Sequence, residues 1–236
     1  MKTRELILGI AAIGVFALGC MAQVTIVVND PIKDDGADHD FTESEATVFE
    51  KALVSVRKKI ENETCAESLQ EAGSATGSFT RAGAKETLLF YEFCQTGNGF
   101  GWNGLVLIEN GKITGNFVSD GGWGVVIGKV ADVNRNGLDE FTLAYSGGLH
   151  QGQGGTGVDL MEFKNGIPTG IGWYKAEEFG VTRYDSAWKL TAKPGKIPVY
   201  YKQKFQTEEG KKPKVLGKPV ATKLTKTWVS KFEAVK

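Results

Sequence analysis

The chain has little of what most catalytic and metal sites draw on. Its 236 residues include two histidines and three cysteines. His39 and His150 stand far apart, so neither a histidine-built zinc site nor a hydrolytic triad follows from neighbours in sequence. Beyond residue 18 no long uncharged apolar run appears, and a membrane-crossing helix needs about 20 such residues. Proline is scarce, six residues against 31 glycines. Glycine without proline suits many tight turns between short strands. Arginine is missing from Trp188 onward, a stretch with 13 lysines against three glutamates and so a net charge of +10. The lysines are scattered among apolar and turn residues, and bidentate phosphate recognition favours arginine. A solvated strand face is therefore expected there, not a nucleic-acid surface.

What is present begins with an export pattern. Lys2 and Arg4 precede an uncharged apolar run over residues 6–18, and small residues follow. This is the grammar of a signal peptide over residues 1–22, with Cys20 and Ala22 at −3 and −1 of a cut before Gln23. The alternative exit is Ala17-Leu18-Gly19-Cys20, which resembles a bacterial lipoprotein box with Cys20 lipidated. Either route predicts a periplasmic or extracellular protein without a transmembrane segment. Two cysteines then remain, Cys65 and Cys94, and an even pair in an oxidising compartment predicts one disulfide.

Residues 23–75 are expected to hold a strand at 23–28, an acidic loop and one helix. Thr42 and Glu45 form a capping box, and Phe49, Leu53, Val56 and Ile60 recur at helical spacing behind it. An amphipathic helix over 42–62 follows. From residue 76 to 236 the pattern is β, continuous with the first part as one domain, and it echoes itself. Short strand, glycine turn and aromatic strand recur at 78–91, 129–145 and 189–201. The first two copies continue to apolar runs that meet Asn110-Gly111 and Asn165-Gly166, the strongest short hairpin signal. The spacing is 51 residues from Phe79 to Val130 and 55 from Asn110 to Asn165. Four strands in about 50 residues is the content of a propeller blade. The expected fold is mainly β with one N-terminal amphipathic helix and about three propeller-blade-like antiparallel units. Three blades do not close a propeller, so an open fan of β-sheets capped by the helix is expected, the alternative being repeated hairpins in a sandwich.

The sharpest chemical signal is Asp132-Val133-Asn134-Arg135-Asn136-Gly137-Leu138-Asp139-Glu140. Side-chain oxygens stand at loop positions 1, 3 and 5, glycine at 6 permits a sharp turn, and the carbonyl at 7 can point inward. Calcium takes 6–8 hard oxygen ligands at about 2.4 Å, and this spacing wraps such ligands round a point. Leu143 occupies the position where an EF-hand needs its bidentate glutamate, so this is not an EF-hand. The stretch 128–145 resembles the FG-GAP or VCBS-type repeat of integrin-like propellers, in which such a loop joins two strands. The resemblance implies Ca²⁺ held by Asp132, Asn134, Asn136, the carbonyl of Leu138 and Glu140. Asn136 stands where the family often has Asp, and Arg135 adds a positive charge, which predicts weak binding. Without an ion the same residues would form an Asx-turn hairpin.

Other motifs carry less. Gly152, Gly154 and Gly157 match a dinucleotide fingerprint in letters, but a strand pattern follows where a helix is required; a mobile loop is expected instead. Asp139 and Glu140 should face opposite ways at the start of a strand, which argues against shared acid–base work. Trp102, Trp123 and Trp173 are expected to be core, with sugar or peptide stacking the alternative. The expected role is an exported FG-GAP-like binding or interaction protein, for an unidentified protein or glycan ligand, with one structural calcium loop and no evident catalysis. The alternatives are a periplasmic or cell-surface hydrolase using carboxylates near the segment from Gly147 to Gly157, and a lipid-anchored envelope component.

Overall fold

The computed structural model describes residues 24–33, 42–60, 70–93, 101–121, 123–150, 153–180, 184–227 and 231–235. The signal segment, Cys20, Cys65, Cys94 and His39 lie outside them, and so does the predicted disulfide.

The described chain is mainly β, with one helix and two antiparallel sheets. The helix, α1, runs Glu43–Ile60. Its capping box forms as expected: the Thr42 N–H donates to the Glu45 carboxylate at 2.9 Å, and the Glu45 N–H donates back to the Thr42 hydroxyl at 3.3 Å. Glu43 and Glu45 in its first turn, and Arg57, Lys58 and Lys59 in its last, complement the helix dipole. Phe49, Ala52, Leu53 and Val56 form its buried stripe.

The smaller sheet comprises β2 (Gln70–Gly77), β3 (Glu86–Phe93), β4 (Gly101–Glu109), β5 (Lys112–Gly121) and the short β13 (Glu233–Ala234), in the order β13-β5-β4-β3-β2. Both its faces are covered, which is why β3 and β4 read as near-continuous apolar runs. Side chains alternate across a strand. Leu89, Tyr91, Phe93, Val106, Ile108 and Val118 therefore meet α1, while Leu88, Phe90, Leu105, Leu107 and Phe117 meet the second sheet.

The larger sheet contains β6 (Trp123–Val130), β7 (Glu140–His150), β8 (Gln153–Lys164), β9 (Ile167–Phe179), β10 (Asp185–Lys193), β11 (Val199–Thr207) and β12 (Lys214–Thr222) as one antiparallel path, with β1 (Ile26–Asn29) on β10. It curls into a half-barrel. β10 pairs with β9 only near its start, at Ser186 and Ala187, and its other end pairs with β1. The curl brings Val28 of β1 against Val130, Val133, Val158, Leu160, Tyr174, Leu190 and Tyr200 in one buried cluster. The Gly195 N–H, in the β10–β11 turn, donates to the Val133 carbonyl at 2.9 Å and ties that turn to the β6–β7 loop. The opposite, convex face offers Phe141, Leu143, Tyr145, Met161 and Phe163 to the smaller sheet, forming the main core.

The internal repeat is structural, but its register differs from the one in letters. Phe79 corresponds to Val133 and Glu86 to Glu140, both 54 residues apart; each pair begins with a fully buried apolar residue and ends with a buried glutamate. Gly83 and Gly137, also 54 apart, both have positive φ, +74° and +89°. Both Asn-Gly turns form as expected, with Asn110 at φ 51° and Asn165 at φ 54°. The units do not remain three separate sheets. β2–β5 form one four-stranded meander, while β6–β9 and β10–β12 merge through the β9–β10 pairing. The merger comes from a short antiparallel pairing between consecutive strands, Ser186 with Glu178 and Ala187 with Glu177, which continues the meander from the second unit into the third.

The expectation of a glycine loop is corrected for its described part: Gly154, Gly155 and Gly157 lie inside β8, Gly155 and Gly157 paired on both sides and Gly154 with β9, while Gly152 lies outside the described residues. A methyl group on Gly157 would sit 2.4 Å from Trp173 Nε1, so glycine lets the indole lie against the strand.

Candidate metal centre

The loop 131–139 joins β6 to β7 at one end of the curled sheet. Asp132 organises it: one carboxylate oxygen accepts from the Asn136 N–H at 3.1 Å, the other from the Gly137 N–H at 2.8 Å. The Asn134 side-chain oxygen accepts from the Asn136 N–H at 3.0 Å, and the Asn136 side-chain oxygen from the Leu138 N–H at 2.8 Å. These nested Asx turns form because short polar side chains reach the backbone two residues on. Arg135 takes the left-handed conformation, φ 58°, and Gly137 φ 89°. The sequence-predicted oxygens at positions 1, 3 and 5 are thus gathered on one loop. Each amide or carboxylate oxygen has two lone pairs, so a turn hydrogen bond leaves acceptor capacity.

Glu140 and Asp139 separate as the alternation predicts. Asp139 leaves the loop: it accepts from the Ser78 N–H at 2.8 Å and meets Lys129 Nζ at 3.1 Å. Glu140 turns to the concave side, fully buried, and its Oε2 accepts from the Val133 N–H at 2.8 Å. Its sister Glu86 does the same in the first unit, accepting from the N–H groups of Phe79 and Thr80 at 2.7 and 2.8 Å. The second oxygen distinguishes the pair. The Thr80 hydroxyl donates to Glu86 Oε1, whereas Glu140 Oε1 is buried with no hydrogen-bond partner. The residue equivalent to Thr80 is Asn134, and its amide NH₂ turns instead to Glu162 Oε2 at 2.9 Å. The Asn136 NH₂ approaches the same oxygen at 3.4 Å.

Glu162, on β8, is the site residue that motif spacing missed. Its one signal is an acid inside the apolar run Leu160–Phe163. With it, three carboxylates border the loop. Burial pushes the Glu140 carboxyl up to about 7; Asp132 and Glu162 add to the rise, and the hydrogen bonds from Val133 and Asn134 oppose it. Tyr200 of β11 faces the same charges. Its buried hydroxyl has no hydrogen-bond partner, and burial, then Glu140 and Glu162, push its pKa up. Among the described residues no three Asp, Glu, His or Cys groups form a cluster able to hold a metal ion. A cation here would therefore lean on the Asn134, Asn136 and backbone oxygens as well.

Of the remaining candidates, the side chains of Trp123 and His150 lie outside the described residues. Trp102 stacks on Phe93 at 6.5 Å, and Trp173 packs against the main core. Near the β7–β8 hairpin, Glu177 accepts from the Thr156 hydroxyl at 2.8 Å, Glu178 pairs with Lys175 at 2.7 Å, and buried Asp159 accepts from the Tyr145 hydroxyl at 2.6 Å. No helix among the described residues is long and apolar enough to cross a membrane.

No protein-family model, curated protein or solved structure matches the chain.

Proposed function

We propose that this chain is an exported, FG-GAP-like binding protein whose 132–140 loop takes a calcium ion for structural purposes. The observation that carries the reading is Glu140 Oε1, buried and unpartnered beside a loop that gathers the oxygens of Asp132, Asn134 and Asn136. A buried carboxylate is costly unless paired or bound to a metal. The sister loop supplies a hydroxyl at the equivalent point and has no such deficit. Glu162, which accepts from the Asn134 amide at 2.9 Å, adds negative charge beside the loop. The 54-residue repeat and its two Asn-Gly hairpins support the blade-like ancestry of the units.

The ion's role would be to neutralise the loop and hold β6 to β7. Amide ligands and the nearby Arg135 suit weak binding, about 10⁻⁴ to 10⁻³ M, the range of extracellular modules. At ten times Kd, linkage then stabilises the fold by about 1.4 kcal/mol. The test is thermal unfolding with chelator and with millimolar calcium. Wild type gains stability with calcium, and Asp132→Ala does not. Melting of the wild type indifferent to calcium, with no heat by calorimetry, would refute the reading.

A further inference from the structure

The lysine-rich strands are not the uniformly solvated face their sequence suggests. In β10 and β11 Trp188 lies opposite Lys204, and Leu190 opposite Lys202; in β12 Leu216 and Val220 lie opposite Lys204 and Lys202. Cross-strand partners share a face. That face is continuous with the buried concave cluster, because Leu190 belongs to it. Here Trp188, Lys202, Lys204, Leu216, Lys218 and Val220 surround an open cavity of about 280 Å³. Such a volume lies near the lower end of small-ligand sites, ~300–1,000 Å³. Two ammonium groups converge on one indole: Lys202 Nζ is 5.0 Å and Lys204 Nζ 5.3 Å from the Trp188 ring centre. Lys202 also lies over Tyr174 at 5.6 Å. Among the described residues no carboxylate pairs with Lys202, Lys204 or Lys218, although Lys175, Lys189 and Lys211 all have acidic partners. Burial, and then Lys175, lower the Lys202 pKa, as expected of a half-buried cation lacking a counter-ion.

We propose that this groove binds an acidic polysaccharide, with Lys202, Lys204 and Lys218 meeting its carboxylates beside Trp188. The occupant is argued from charge complementarity. Three ammonium groups without an acid among them make this groove complementary to an anion. Exposed Lys214, on the same open edge strand, continues the positive track along β12, which suits a linear, repeating anion over a single small one. Nucleic acid is disfavoured by the chemistry: the strands carry no arginine, and the indole that would stack a base already has two ammonium groups over it. The inference gives a ligand class to the binding role proposed above and rests on it.

The test is calorimetric titration of the full chain with an oligogalacturonate in low salt and excess chelator. Saturable binding that weakens as salt rises is expected, because screening acts on exposed charges. Lys204→Gln weakens it about tenfold, as for loss of one charge-assisted contact. The double variant Lys202→Gln/Lys204→Gln abolishes it, and Lys231→Gln leaves it unchanged. A neutral oligosaccharide of equal length does not bind. A saturable change in tryptophan emission, absent in Trp188→Phe, reads the same event independently of the lysine variants. Three results overturn the proposal: no heat in low salt, equal or tighter binding of a single-stranded oligonucleotide of the same charge, or equal or tighter binding to anionic phospholipid vesicles. Chelator keeps the two questions apart, since failure at the groove leaves the calcium melting shift to decide the loop.

Discussion

Ser78 and Asp139 exchange two hydrogen bonds across the internal repeat: the Ser78 N–H donates to the Asp139 carboxylate at 2.8 Å, and the Asp139 N–H donates to the Ser78 carbonyl at 2.9 Å. The loop of the first unit is thereby fastened to the equivalent loop of the second, and the two sheets are held together at the end that carries the candidate metal centre. Asp139 is the acid of the loop motif that turns away from the oxygens of Asp132, Asn134 and Asn136.

Asp139→Ala should therefore destabilise the fold without touching calcium. It leaves the Ser78 N–H without its acceptor and frees Lys129. Loss of a partly buried charge-assisted hydrogen bond costs about 1–3 kcal/mol. Urea unfolding should show that loss, and the calcium-induced melting shift should persist. Disappearance of the shift would place Asp139 among the ligands and contradict its role here.

Arg135→Ala should strengthen calcium binding slightly. The guanidinium brings positive charge to the loop, and its removal lowers repulsion of the ion. An exposed charge in high dielectric contributes little, about 0.2–1 kcal/mol, and less as salt rises. The substitution keeps a non-glycine residue at φ 58°, so the backbone cost is common to both proteins. Isothermal titration at two ionic strengths measures the effect. Weaker binding in the variant would mean that Arg135 supports the loop more than it repels the ion.

Glu140 predicts a pH dependence whose sign is fixed by the direction of its shift. Its carboxyl rises from an ordinary 4.5 to about 7 on folding. Between those values the folded chain holds a proton that the unfolded chain has released. Stability should accordingly fall as pH rises through this window and level off above it. Glu140→Gln keeps an acceptor for the Val133 N–H and removes the titration, so the wild-type-minus-variant difference should vanish near pH 4 and grow toward pH 8 in chelator. Saturating calcium, which favours the carboxylate, should reduce that fall. An unfolding series from pH 4 to 8 checks it; a difference flat with pH would refute the assignment.

Glu86 provides the internal control. It closes the sister loop with the same backbone contacts but has the Thr80 hydroxyl as a partner. Glu86→Ala leaves two N–H groups unsatisfied, at about 1–3 kcal/mol each. It should lower stability equally with and without calcium. A calcium-dependent loss would locate the ion nearer the first unit than the second.

Gly157→Ala tests the close approach of Trp173. The added methyl would sit 2.4 Å from the indole nitrogen, inside contact distance, on a strand paired on both sides. Overpacking of this kind costs about 1–3 kcal/mol. Chemical denaturation measures it. Unchanged stability would mean that the indole can move aside freely.

The amino-acid order alone determined the parts governed by neighbours. The capping box of Thr42 and Glu45, the apolar stripe of Phe49, Leu53 and Val56, and the two Asn-Gly hairpins form as local rules require, because a hydroxyl three residues from a carboxylate, or an Asn-Gly pair between apolar runs, has few other places to go. The nested turns of Asp132, Asn134 and Asn136 were legible for the same reason. Tertiary structure decided the rest. It set the register of the repeat, where burial of Val133 and Glu140 outweighed the alignment by letters. It merged the second and third units through β9 and β10, and it placed Gly154, Gly155 and Gly157 in a strand, where Gly157 leaves room for Trp173. It also carried Glu162 and Tyr200 to the loop from other strands, and set the half-buried Lys202 and the exposed Lys204 over Trp188. These outcomes depend on how the meander curls, on the distant pairing of β1 with β10, and on which faces are then buried, and none of these leaves a trace in local spacing.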